Sequence, residues 1–62
     1  MPKPHTREDI DVLHMVDFLL EEGEQIQPKS AARLVELLWL KEDSSQPGGY
    51  RVTATGERRL AP

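Results

Sequence analysis

Most of the candidate functional residues in this chain of 62 residues are charged side chains. Lys29 and Arg33 lie one helical turn apart, with Ser30 close beside them. Side chains of this kind at this spacing can reach phosphate oxygens and base edges in the major groove of DNA. Glu36 follows on the same helix face and repels phosphate, which limits the patch.

A second pair of cations lies on a predicted β-hairpin. Packing Leu40 and Val52 inward sets them opposite each other and places Lys41 opposite Arg51 on the outer face. Two like charges across a strand pair cost roughly a few tenths of a kcal/mol, so the pair can be kept for an anion such as a DNA phosphate. The alternative is local neutralisation by an acidic neighbour, for which the candidates are Glu42, Asp43 and Glu57.

Enzymatic chemistry has little support in the sequence. No serine nucleophile motif, phosphate-binding glycine loop or metal-spaced histidine cluster is present, and Gly48 and Gly49 suit a hairpin turn. His14, Asp17 and Glu21 share one side of a predicted helix, but three such residues without a fourth ligand are typical of a solvated face. We therefore predict no catalytic residues, no metal and no cofactor.

Length and composition narrow the class of protein. Sixty-two residues allow one domain with a thin core, and there is no cysteine for a disulfide or a thiolate metal site. The apolar runs are too short for a membrane span and the N-terminus does not resemble a signal peptide, so we expect a cytoplasmic protein without membrane contact. The net charge of −3 argues mildly against nucleic acid, although the acids are concentrated in residues 1–22.

The first predicted helix covers residues 7–22, after an N-terminal arm of residues 1–5 that we expect to be flexible; residues 6–62 then form a single domain. Thr6 and Asp9 are spaced as a capping box, and Gly23 is a good helix terminator. At 100° per residue, one broad arc forms the predicted core face of this helix: Val12, Leu13, Met15, Val16, Leu19 and Leu20.

Two apolar residues of this helix lie outside that arc. Ile10 and Phe18 form a second stripe, with His14 between them, on an otherwise acidic side. One interpretation is that other parts of the chain fold over the stripe. The other is a partner surface, most simply a two-fold dimer along the first helix.

The second predicted helix begins near Pro28, a residue suited to a first helical turn, and ends near Trp39. Its predicted buried stripe is Ala31, Leu34, Val35 and Leu38. Its predicted solvent face is Lys29, Arg33 and Glu36. Ile26, in the connector before it, is expected to enter the core.

The last third of the chain runs from an apolar helix end into a strand, a loop over residues 44–49, a second strand and a short helix. The segment Tyr50-Arg51-Val52-Thr53, followed by Gly56 and Leu60, resembles the wing half of MarR-type and PadR-type bacterial regulators. The resemblance covers about half of the chain. It implies an α+β, winged-helix-like fold and a small protein that binds duplex DNA and regulates transcription. The residues in contact with DNA would be Lys29, Ser30, Arg33, Lys41 and Arg51.

The chain departs from this pattern between its first helix and the wing. A full helix-turn-helix needs two helices there, and residues 25–40 have room for one plus a turn. Either the usual second helix has shrunk to a turn, or the domain only imitates a winged helix. A protein–protein interaction module on the same scaffold, without DNA binding, is the alternative function.

The predicted architecture has helices over residues 7–22, 29–39 and 54–60, and a hairpin pairing residues 39–42 with 50–53. The predicted core joins all of these elements. Its members are Leu13, Val16, Leu20, Leu34, Leu38, Leu40, Val52 and Leu60.

Overall fold

The computed structural model describes residues 4–61, and its elements follow the predicted order. Two helices precede an antiparallel two-stranded hairpin and a short closing helix. The fold class, α+β, is thereby confirmed. The elements are α1 (Arg7–Glu21), α2 (Pro28–Glu36), β1 (Leu40–Glu42), β2 (Tyr50–Val52) and α3 (Ala54–Leu60).

Helix α1 begins with the predicted capping box. The Thr6 hydroxyl accepts a hydrogen bond from the Asp9 amide at 3.3 Å, and the Thr6 amide donates to the Asp9 carboxylate at 2.8 Å. These two bonds satisfy backbone groups that have no partner inside the helix. The helix ends at Glu21, and Gly23, just beyond its C-cap, has a φ of 73° that glycine adopts without a steric cost.

Helix α2 ends three residues earlier than predicted, at Glu36 rather than near Trp39. The Leu38 amide donates to the Val35 carbonyl at 2.9 Å and the Trp39 amide to the Leu34 carbonyl at 3.0 Å. This is the Schellman pattern that also ends α1, but the left-handed position is held by Leu38, with φ of 66°. Because the sequence has no glycine at this position, it gave no signal that the helix ends there.

The early stop changes which apolar residue enters the core. Leu38 was predicted to be buried, but this prediction is wrong, because 71% of the residue is exposed. The left-handed turn rotates Leu38 off the α2 stripe and lets Trp39 take an interior position. The buried set consists of Leu13, Val16, Ala31, Leu34, Trp39 and Leu40.

Other predicted core residues lie at the edge of this cluster. Leu20, Val52 and Leu60 pack against it while keeping part of their surface exposed, and Ile26 packs there as expected. Met15 and Val35 were assigned to buried stripes, but they are 50% and 37% exposed, respectively. Each lies at the margin of its helix's apolar arc, and in a domain this small no layer covers the margin.

The hairpin has the predicted register, with Leu40 opposite Val52 and Lys41 opposite Arg51. Thr53 joins the hairpin to α3 through its hydroxyl, which accepts from the Gly56 amide at 3.0 Å and donates to the Leu38 carbonyl at 2.6 Å. A single side chain therefore caps α3 and anchors the backbone of the turn that ends α2.

Candidate functional site

Arg33, predicted to contact DNA, is engaged within the molecule. Its Nε donates to Asp9 Oδ1 at 3.2 Å and its Nη2 to Asp9 Oδ2 at 2.9 Å, which makes a two-pronged ion pair between α2 and α1. Nη1 donates to the Glu36 carboxylate at 3.0 Å, and Nη2 also reaches the Pro4 carbonyl at 3.3 Å. The guanidinium would have to leave these acceptors in order to bind a phosphate.

The electrostatics of Asp9 reflect the same contact. The Arg33 hydrogen bonds, followed by the bond from the Thr6 amide, lower the pKa of the Asp9 carboxyl to about 2 from its usual value of 3.8. Asp9 in turn raises the pKa of the Arg33 guanidinium, with Glu36 contributing less. Asp9 is therefore ionised across the physiological range, and it serves the α1 cap and the α2 ion pair together.

The paired cations of the hairpin, Lys41 and Arg51, are both exposed. Asp43 lies near them: its pKa is lowered first by hydrogen bonds from Ser45 and further by the charges of Arg51 and Lys41. Arg51 also lines a shallow cleft of about 310 Å³ with three carboxylates, those of Asp17, Glu21 and Glu57. Acidic neighbours thus offset part of the positive charge of this pair.

The loop between the strands folds back on the molecule. A side chain on Gly48, whose φ is 87°, would place its Cβ 2.9 Å from the Glu24 carbonyl oxygen and 3.1 Å from Leu20. The Ser45 amide and hydroxyl both donate to the Asp43 carboxylate, at 3.0 and 2.6 Å. This loop is therefore a compact turn packed against the end of α1.

The other predicted DNA contacts on α2 differ in accessibility. Lys29 is exposed at the start of the helix, and Ser30 is half-buried. The exposed side of α2 also includes Ala32 and Val35, which lie between Lys29 and Leu38 in the sequence. This side of the helix is consequently more apolar than its sequence pattern predicted.

The three residues predicted for a dimer surface on α1 are divided by the fold. Ile10 is half-buried and packs against the core, which fits the interpretation that the chain folds over it. His14 is exposed, and Phe18 is 59% exposed. Phe18 and Met15 are therefore the apolar residues of α1 that remain open to solvent.

An apolar groove of about 600 Å³ lies at the connection between α2 and the hairpin. Leu38 and Val35 supply apolar surface, and the three residues of β1 supply another side. The lining residues are Val35, Leu38, Leu40, Lys41, Glu42 and Thr53. Sequence reasoning missed this groove because it placed Leu38 in the core.

The backbone of β1 contributes to this groove. At the two ends of the ladder, the Thr53 amide donates to the Trp39 carbonyl at 3.0 Å and the Asp43 amide to the Gly49 carbonyl at 2.9 Å. Because hydrogen-bonded pairs alternate along an antiparallel ladder, the Lys41 backbone groups face β2. Those of Leu40 and Glu42 face away from β2, but Leu40 is buried, so that only Glu42 is exposed on this side of the strand.

Trp39 is held from the two ends of the chain. The His5 ring lies 5.1 Å from the Trp39 ring, centroid to centroid, and the Arg59 guanidinium lies 5.8 Å from the centroid of the indole. Arg59 therefore makes a cation–π contact. Of the predicted arm, Pro4 and His5 contact the domain, and residues 1–3 lie outside the described part of the chain.

Known proteins offer no assignment for this site. No protein-family model matches the chain, and no curated protein or solved structure matches it significantly. Within residues 4–61, no helix is long and apolar enough to cross a membrane. No group of three potential metal ligands comes together in that same range.

Proposed function

We propose that this protein is a protein–protein interaction module on a winged-helix-like scaffold, which binds its partner at the groove beside Leu38. The observation that carries this proposal is Leu38 itself, a large apolar residue kept exposed in a backbone conformation that favours glycine. Leucine in the left-handed region costs about 1–2 kcal/mol. A cost of this kind, borne by an exposed side chain, supports a role in binding.

The state of the cations also favours this function over DNA binding. Arg33 is held by Asp9 and Glu36, so its guanidinium is not free to contact a phosphate. Phosphate contacts dominate the affinity of proteins for DNA, so the engagement of Arg33 weakens that alternative. We place the activity in the cytoplasm, as expected from the sequence.

A peptide library displayed on phage provides the test. The library is first depleted on the Leu38→Gly protein, which keeps the left-handed turn and lacks the side chain, and is then selected on the parent. Recovered peptides should bind the parent with micromolar affinity and Leu38→Gly at least about tenfold more weakly. Met15→Ser, which removes an exposed apolar side chain outside the groove, is the control and should bind as the parent does. Failure to recover any peptide that depends on Leu38 would contradict the proposal.

Duplex DNA remains a second candidate partner because Lys41 lies opposite Arg51, as a phosphate-binding hairpin would require. The protein would then act as a small DNA-binding regulator through Lys29, Ser30, Lys41 and Arg51, with Arg33 joining only if its ion pairs open. Three free cations imply a salt slope of about −2.7.

Gel shifts at low salt test this second candidate. Lys41→Ala and Arg51→Ala should each reduce the slope by about one unit without unfolding the domain. Arg58→Ala, which also removes one positive charge but at an exposed residue of α3, controls for net charge. If no duplex is shifted at low ionic strength, DNA binding is wrong and the interaction module is the one remaining candidate.

A further inference from the structure

The large apolar side chains that remain exposed lie on two separate faces of the molecule. Among residues 4–61, Met15 and Phe18 are 50% and 59% exposed on α1, and Val35 and Leu38 are 37% and 71% exposed at the groove. The first two project from the outer side of a helix, whereas the other two line a groove of about 600 Å³. A projecting face and a groove on the same molecule can bind each other when they belong to two copies of the chain.

On α1, an acidic residue lies at each end of the apolar pair. Asp11, Met15, Phe18 and Glu22 follow one another at intervals of four, three and four residues, and all four are exposed. This spacing places them along one side of the helix, and we call them the α1 ridge. Asp11 and Glu22 are about 16 Å apart along the axis, at 1.5 Å per residue. Arg7 lies one turn before Asp11.

The groove has cations at both ends of its apolar centre. Lys29 is exposed at the start of α2, and Lys41 is exposed on β1, where it lines the groove. Glu42 follows Lys41 and also lines the groove. Glu36, on the exposed side of α2, accepts a hydrogen bond from Arg33 at 3.0 Å, which offsets its charge. The charges at the ends of the groove are therefore opposite to those at the ends of the α1 ridge.

We propose that the groove of one copy of the chain binds the α1 ridge of a second copy, with α1 antiparallel to the α2 helix that it meets. Phe18 and Met15 of the second copy then cover the exposed side chain of Leu38. This inference rests on the proposed function and identifies the partner as another molecule of the same protein.

The antiparallel direction follows from the charges. It forms three pairs of opposite charge, which are Asp11 with Lys41, Glu22 with Lys29, and Arg7 with Glu42. The parallel direction would instead bring Glu22 next to Glu42, and like charges that are forced together at an interface oppose binding. Complementary charges of this kind fix the direction of a contact more than they increase its affinity.

A head-to-tail contact fits these faces better than a two-fold axis does. An axis at the α1 ridge sets Asp11 of one copy against Glu22 of the other, and an axis at the groove sets Lys29 against Lys41. Only the pairing of a ridge with a groove brings opposite charges together at both ends. Each such contact covers both kinds of apolar face at once. Because the contact is small, association requires a concentrated protein.

Two variants, each with one face removed, test this contact. Leu38→Gly lacks the apolar side chain of the groove and keeps the ridge, whereas Phe18→Ser lacks the ridge and keeps the groove. Each variant alone should be monomeric in sedimentation at concentrations where the parent associates. An equimolar mixture should form a one-to-one dimer, because one variant supplies the groove and the other supplies the ridge. The double variant is the control and should bind neither single variant.

A charge exchange tests the direction. Asp11→Lys, placed in the Leu38→Gly protein, should weaken the mixed dimer at least about tenfold. Lys41→Glu, placed in the Phe18→Ser protein, should then restore it, because the pair is reversed. Glu57→Lys, the same change of charge on α3, should have little effect. Association should weaken as salt is raised, since the contact joins opposite charges.

The outcomes separate the identity of the partner from the function. If the mixture stays monomeric while selected peptides still depend on Leu38, the second copy is wrong and the interaction module stands. If no peptide depends on Leu38 and the parent stays monomeric, both are wrong. If Leu38→Gly associates as strongly as the parent, the groove takes no part and the head-to-tail contact is wrong.

Discussion

Leu38 occupies a position whose backbone is better suited to glycine. The same type of turn follows α1, where the equivalent residue is Gly23 with a φ of 73°. Leu38 can therefore be compared directly with a glycine in the same backbone conformation. At Leu38 the side chain is mostly exposed and adds little burial, while the left-handed backbone is strained. The residue therefore costs folding stability without adding burial, which is the observation behind the proposed contact with a partner.

The first prediction concerns this cost. Leu38→Gly should leave the free energy of unfolding unchanged or raise it by up to about 1 kcal/mol, because relief of strain outweighs the added chain entropy. For a domain of this size, 1 kcal/mol corresponds to a rise in Tm of about 4–8 °C. Gly23→Leu is the matched control and should be destabilised. A loss of about 2–5 kcal/mol in Leu38→Gly would mean that Leu38 is a core residue after all.

The second prediction uses the lowered pKa of Asp9. A folded-state pKa of about 2, below the usual 3.8, means that ionised Asp9 stabilises the fold above pH 4. This contribution is lost as the pH falls from about 4 to 2. Asp9→Asn should cost about 1 kcal/mol at pH 7, since it weakens the cap and the partly buried ion pair with Arg33.

Urea unfolding at pH 7, 4 and 2 measures this dependence. The free energies of unfolding of the parent and of Asp9→Asn should converge as the pH approaches 2. Asp11→Asn, which removes an exposed carboxylate of the same helix, is the control for the loss of one negative charge. A difference between parent and Asp9→Asn that is constant with pH would exclude the ion pair as its source.

Helix α3 lies close to the hairpin at Gly56. A Cβ there would lie 2.7 Å from Val52 Cγ1 and closer still to the Trp39 carbonyl oxygen. Glycine at this position allows α3 to pack against the base of the hairpin, and the Thr53 cap fixes where the helix begins.

The third prediction is that Gly56→Ala destabilises the domain. Alanine gains about 1 kcal/mol in helix propensity over glycine, but the clash with backbone cannot be relieved by a side-chain rotation. Overpacking of this kind costs about 1–3 kcal/mol or more, so a net decrease in Tm is expected. Thr55→Ala, at an exposed neighbouring position, should stay within about 0.5 kcal/mol of the parent. A Gly56→Ala protein that melts at or above the parent would show that α3 can move away freely.

At the scale of the whole molecule, two apolar areas remain open among residues 4–61. One is the groove at Val35 and Leu38, and the other is the outer side of α1 at Met15 and Phe18. Exposed acids, Asp11 and Glu22, flank Phe18 on α1. Their repulsion across a two-fold axis would oppose self-association at low salt and would be screened at high salt.

The fourth prediction follows from this balance. If α1 forms a dimer through Phe18, the association should strengthen as salt is raised, and Phe18→Glu should be a folded monomer because the axis would bring two new charges together. Sedimentation at low and high salt measures both effects, and Leu38→Gly controls for the other apolar area. A parent that stays monomeric at high protein concentration in both salts would remove the dimer and leave Phe18 as an exposed single residue.

Local signals in the sequence determined much of this fold. The capping box at Thr6 and Asp9, the stop at Gly23 and the alternation around Val52 each depend on neighbours in the chain, and each was predicted correctly. The hairpin register followed because a shift of one residue would have turned Leu40 and Val52 out of the core. The order of the elements and the α+β class came from the same short-range patterns.

Only the tertiary structure decided what the candidate sites look like. Arg33 is 24 residues from Asp9 in sequence, so no local pattern revealed that the cation was already paired. The exchange of Leu38 for Trp39 in the core had no sequence signal either, because α2 stops without a glycine. The turn is stabilised by contacts between residues that are far apart in the sequence. These are the Thr53 hydrogen bond to the Leu38 carbonyl and the packing of Trp39 between His5 and Arg59. Leu38 and Trp39 are equivalent in the hydrophobic pattern of the sequence. Only the packing of the whole domain determines which of the two is buried.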